Sequence, residues 1–151
     1  MGMADEIKRA QQAEYEQAAT ANQATSQTFD AVSQALNELV PEAFDAIRQF
    51  RLKPEREAFA AKTLGITRWT RGFVFHRIAY GVSVGVSPSG RWCYLDSRHN
   101  HELSLHKARE HFLKVAAVRG AAALPISAVR EHIRSKLKSD VEGLAKRQGK
   151  L

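Results

Sequence analysis

Apolar residues recur every three or four positions from Phe29 onward, and Phe29, Val32, Leu36, Leu39, Ala43, Ile47 and Phe50 share one helical face. The preceding stretch, "ADEIKRAQQAEYEQAATANQAT" over residues 4–25, also has strong helix formers and neither Pro nor Gly. Its apolar positions after Ile7 are mostly alanines, too small to bury much area. This predicts a polar helical arm over 1–28, followed by amphipathic helices over 29–64. Within the second region, Pro41 is expected to kink one helix or open another. Pro54 is expected to open a short helix running through Lys62, with Gly65 as its C-cap.

Beyond Gly65 the period changes from about 3.6 to 2. Val74, His76, Ile78, Tyr80, Val82, Val84 and Val86 share one parity, which is strand chemistry. Gly81 divides so long an alternation into two strands, with Gly72 and Gly85 as further bends or bulges. "SPSG" at 87–90 suits a type I turn leading into a third strand, "RWCYLD". Helical spacing then returns with Leu105, Ala108, Phe112 and Val115, stopped at Gly120. A last helix begins near Ser127 and aligns Val129, Ile133, Leu137, Val141 and Leu144. The predicted class is α+β: a long N-terminal helical arm, then a small antiparallel sheet of about three strands packed with two C-terminal helices. Residues 65–151 form a basic α+β domain, and 29–151 share one core.

The chain has 151 residues, 44% hydrophobic and 26% charged, which suits one globular domain plus an extension. No apolar run reaches the roughly 18 residues of a membrane helix, and the N-terminus is polar. We therefore expect no membrane partner and a cytoplasmic location. Cys93 is the single cysteine, so an internal disulfide and paired-cysteine zinc sites are excluded. Between Trp92 and Tyr94 it reads as a small buried side chain.

Charge is distributed unevenly. Residues 1–30 hold two Lys/Arg against five Asp/Glu, and residues 31–65 are balanced. Residues 66–118 and 119–151 each hold eight Lys/Arg against three Asp/Glu, within a formal net charge of +7. Such asymmetry points to a polyanionic partner for the C-terminal half.

"TRGFVFHRIAY", from Thr70 to Tyr80, partly matches the longer motif of RNA-recognition modules through Arg71, Gly72, Phe73 and Phe75. Val74, His76 and Ile78 depart from it, and the upstream region supplies no second aromatic strand, so that module is excluded. The chemistry stands apart from the motif. Arg71, Phe73, Phe75 and Arg77 are expected on one strand face, with Arg68, Trp69, Arg91 and Trp92 close by in sequence. Cations neutralise phosphates and exposed rings stack on bases. The competing expectation places the rings in the core and the arginines at its fringe. On the last helix Arg130, Arg134 and Lys138 follow at intervals of four and form a basic stripe suited to a phosphate backbone. A helix-turn-helix over 104–144 is disfavoured because "GAAALP" is too long a joint.

Four of six histidines fall in "HNHELSLHKAREH", at His99, His101, His106 and His111. With Glu102 they suggest a metal-dependent hydrolase, although no His-Glu-x-x-His pair is present. Phosphate-binding glycine loops, nucleophile elbows and dinucleotide fingerprints are absent, and no cofactor is expected. The leading expectation is a non-enzymatic nucleic-acid-binding protein that forms a homo-oligomer through its N-terminal helices. Its site residues are Arg68, Arg71, Phe73, Phe75, Arg77, Arg91, Arg130, Arg134 and Lys138. The alternative is an adaptor, structural component or inhibitor that engages a protein partner through residues 1–50, and the metal-dependent hydrolase comes third.

Overall fold

Good helix formers and a continuous apolar face produce one helix, α1 (Met3–Gln49), where two or more were expected. The structure, a computed structural model, describes residues 2–119 and 124–151. Pro41 lies inside α1 and removes the N–H that would bond the Asn37 carbonyl, a loss of about 3 kcal/mol in an isolated helix. Burial of Leu36, Leu39, Val40 and Ala43 on both sides of it offsets that loss. α1 ends in a Schellman motif: Arg51 turns left-handed at φ 52°, its N–H reaches Arg48 O, and the Leu52 N–H reaches Ile47 O. Leu52 and Ile47, the apolar pair that accompanies this motif, are both buried.

The first buried residue of α1 is Thr28, and residues 2–24 are exposed throughout. At 1.5 Å per residue this polar arm extends about 33 Å from the core.

Residues 55–63 form strand β1 (Glu55–Thr63), which corrects the short helix expected after Pro54. "EREAFAAK" favours a helix locally but offers only one large apolar side chain, Phe59, and so has no helical face to bury. As a strand it places Phe59 under the sheet, and tertiary burial overrides propensity. Gly65 is correspondingly a hairpin residue and not a helix cap. Leu64 and Gly65 both take positive φ, 52° and 77°, between the paired Thr63 and Ile66, as a two-residue primed turn requires.

Four further strands follow: β2 (Ile66–Ala79), β3 (Val82–Val86), β4 (Trp92–Asp96) and β5 (Glu102–Leu103). The sheet thus has five strands and not three, in the antiparallel order β1-β2-β3-β4-β5. The break at Gly81 and the turn at Ser87–Gly90 occur where the sequence places them. Gly81 takes φ 68°, and a Cβ there would lie 2.6 Å from Val115 Cγ2, so any larger residue would force the α2 side chains to shift.

The sheet curls until its first strand meets its last connection. Ala60 of β1 bridges His101 in parallel, and the Ala60 N–H donates to Asn100 O at 2.9 Å. Phe59, Ala58 and Leu95 fill the inside of this curl, with Val74 and Cys93 against them. Gly72 and Gly85 leave room for the Phe59 ring.

The other face carries Phe73, Phe75, Ile78, Val84, Val86 and Tyr94, which pack under α1, α2 (Leu105–Arg119) and α3 (Ile126–Arg147). The expected stop of α2 at Gly120 lies outside the described residues. Arg109 of α2 clamps α1, donating to Ser26 Oγ and Asp30 Oδ1 at 2.6 and 2.7 Å while its guanidinium covers Phe29 at 5.1 Å. Tyr94 keeps its buried hydroxyl satisfied through Ser33 Oγ at 2.7 Å. Among the described residues no helix is long and apolar enough to cross a membrane.

Candidate nucleic-acid interface

Phe73 and Phe75 are 5% and 3% exposed, and the helices cover both rings. Their expected part in a binding surface is corrected on that ground: burying two aromatic rings stabilises the fold, and buried rings cannot stack on a base. Arg77 also leaves the expected face. A bulge between Phe75 and Ala79 turns Arg77 to φ 50°, fixed by its N–H donating to Ser83 Oγ at 2.9 Å. Ile78 then takes the core position and Arg77 is exposed.

The basic stripe of α3 is largely neutralised. Arg130 pairs with Glu38 and Arg134 with Glu42, both acids on the neighbouring α1. The spacing of four on each helix brings the pairs into register, and Lys138 alone of the stripe is left exposed without an ion pair among the described residues.

The sheet segment has the opposite character. Between residues 62 and 101 stand Lys62, Arg68, Arg71, Arg77, Arg91 and Arg98 against a single acid, Asp96. Among the described residues none of these cations forms an ion pair; all four ion pairs involve helical residues. Asp96 is committed to its own loop. Its Oδ1 accepts the N–H groups of Arg98 and His99 at 3.1 and 2.6 Å, and its Oδ2 accepts that of His101 at 3.0 Å. Burial pushes this carboxyl up, but the three N–H donors and the nearby His101 hold it below the usual carboxylate range.

That loop places His101 beside the one exposed tryptophan. Trp69 pairs with Ala60 on one side, His101 bridges Ala60 on the other, and the small Ala60 side chain lets the two rings meet above it. The Trp69 and His101 rings lie edge to face with centroids 5.8 Å apart, and His99 continues the row 6.0 Å from His101. Trp69 is 52% exposed. Strand alternation sets Lys62 of β1 and Arg71 of β2 on the same face, on either side of the ring row. Arg68 emerges on the opposite face near the hairpin tip, and Arg91 is exposed at the end of the turn before β4.

The histidine cluster disperses. His106 pairs with Glu110 at 3.0 Å, and Glu102 accepts the Lys62 backbone N–H. Among the described residues no three His, Cys, Asp or Glu side chains are grouped to hold a metal ion.

Trp69, His99 and His101 therefore join the candidate site, and Phe73 and Phe75 leave it. Sequence periodicity had no means of finding the ring row, because it depends on the bridge between Ala60 of β1 and the distant His101. Comparison with known protein families, curated proteins and solved structures found no match to this chain.

Proposed function

We propose that the protein is a non-enzymatic nucleic-acid-binding protein whose basic sheet surface engages the phosphate backbone. The observation that carries this reading is the segregation of charge. Asp30, Glu38 and Glu42 of α1 pair with Arg109 of α2 and with Arg130 and Arg134 of α3, while among the described residues the sheet arginines form no ion pair around an exposed ring row. In this reading Lys62, Arg68, Arg71 and Arg91 contact phosphates, and Trp69, backed by His101, stacks on a base. A ring flanked by cations on its own face suits a single strand, whose bases are free to stack.

The arm over 2–24 serves as the oligomerisation element. Its Ile7 and Tyr15 are exposed apolar side chains, and a second copy would double weak phosphate contacts by raising effective concentration. The same exposure favours the second reading, an adaptor that captures a protein partner through this arm.

Electrophoretic mobility shifts with single-stranded RNA, single-stranded DNA and duplex DNA test the proposal. It expects a retarded complex with at least one single strand, and retardation of none of the three at low salt rejects it.

A further inference from the structure

A cavity of about 740 Å³ lies between the β2–β3 turn, the loop after β4, and helices α2 and α3. Its size falls in the range that accommodates a small organic ligand, about 300–1,000 Å³. Five potentially cationic side chains surround it: Arg77, Arg98, Lys136, His111 and His132. Among the described residues the single carboxylate in its wall is Asp96, whose oxygens already hold three backbone N–H groups of the loop. Arg77 and Arg98 form no ion pair among the described residues, and Lys136 feels Asp140, one helical turn away, without pairing to it.

Apart from Thr28 and Ser97, the remainder of the wall is largely apolar, with Ile78, Tyr80, Phe112 and Val115. The arrangement therefore combines a strong anion requirement with a surface for a hydrophobic body. Two guanidinium groups and an ammonium, delivered from three separate elements, exceed what a monoanionic carboxylate needs and suit a phosphate dianion. The bulge that gives Arg77 its left-handed φ is what turns this side chain out of the core and to the cavity wall.

We propose that this cavity binds a small phosphate monoester with an aromatic or aliphatic body, of about mononucleotide size. The site is distinct from the Trp69 face. The Asp96-capped loop connects them, with Arg98 at the cavity and His99 and His101 in the ring row.

Isothermal titration calorimetry of the full chain tests this with phenyl phosphate and adenosine monophosphate, against inorganic phosphate, benzoate and adenosine. At least one of the two esters should bind once per chain and more tightly than inorganic phosphate, benzoate or adenosine. Arg98→Ala and Lys136→Ala should each weaken it about tenfold, and Arg71→Ala should not change it. Amide chemical-shift changes should cluster at residues 77–81, 96–98, 111–115 and 132–136. The proposal is overturned by absence of saturable binding of both esters up to about 10 mM. It is equally overturned by benzoate matching the better ester, by inorganic phosphate matching it, or by shifts centred on Trp69. Because Arg71→Ala touches only the sheet face, loss of nucleic-acid binding with retained ester binding would separate the two proposals.

Discussion

The Trp69 and His101 rings meet edge to face, 5.8 Å between centroids, across a residue no larger than Ala60. The contact joins the first hairpin to the loop before the last strand and leaves half of the Trp69 surface in solvent. An indole held in place by a neighbouring ring loses little conformational freedom when a base stacks on it, which is the condition for a useful binding platform.

The neutralised arginines supply a contrast. Arg130→Ala with Arg134→Ala removes as much charge from the chain as Arg68→Ala with Arg71→Ala. The first pair should change nucleic-acid affinity by less than about twofold, because Glu38 and Glu42 already engage both guanidiniums on the helical side, away from the proposed sheet surface. The second should weaken binding by about tenfold or more. Filter binding on both double variants checks this, and equal losses would place the interface on α3.

Deletion of residues 2–24 removes no buried side chain, since burial begins at Thr28. The shortened protein should keep its Tm within about a degree. Sedimentation should show a smaller assembly than the full chain, with weaker binding to a long single strand. An unchanged sedimentation coefficient per chain would remove the arm from assembly and favour the adaptor reading.

Much of this architecture was legible in the alternation itself. Val82, Val84 and Val86 mark a strand because nothing else buries three β-branched residues at period two, and Phe29 to Ile47 mark a helix for the corresponding reason at 3.6. β1 was not legible, because Ala, Glu and Lys around Phe59 satisfy helix propensity and only the cleft made by Gly72 and Gly85 selects the extended form. The pairing of Arg130 with Glu38 was equally hidden, since it depends on the register of two helices 92 residues apart in the chain.

Cys93 lies against Phe59 and Leu95, where burial and then the charge of Glu102 push its thiol up to about 12, against a Gly85 backbone hydrogen bond that lowers it. The thiolate is therefore scarce at pH 8, and the native protein should react with an aromatic disulfide reagent at least about a hundredfold more slowly than the unfolded chain. Rapid stoichiometric labelling of folded protein would contradict this packing.

Asp96 links the loop to pH. Its folded pKa is depressed, so its contribution to stability is present above the unfolded value of about 3.9 and is lost as pH falls through the lower folded value. Asp96→Asn should lower Tm at pH 7, with the gap to the native protein closing as pH falls below about 4. A gap that is constant with pH would mean that the carboxylate charge plays no part in holding Arg98, His99 and His101.

The central claim is tested most directly by fluorescence anisotropy of a labelled single strand across a salt series, comparing the native protein with Trp69→Ala and with Arg71→Ala. The account predicts a log–log salt slope of about −3 for four phosphate contacts, unchanged by Trp69→Ala and shallower in Arg71→Ala. Trp69→Ala should nonetheless weaken binding by about 1–3 kcal/mol at every salt concentration. Affinity independent of salt, or identical in the native protein and both variants, would contradict it.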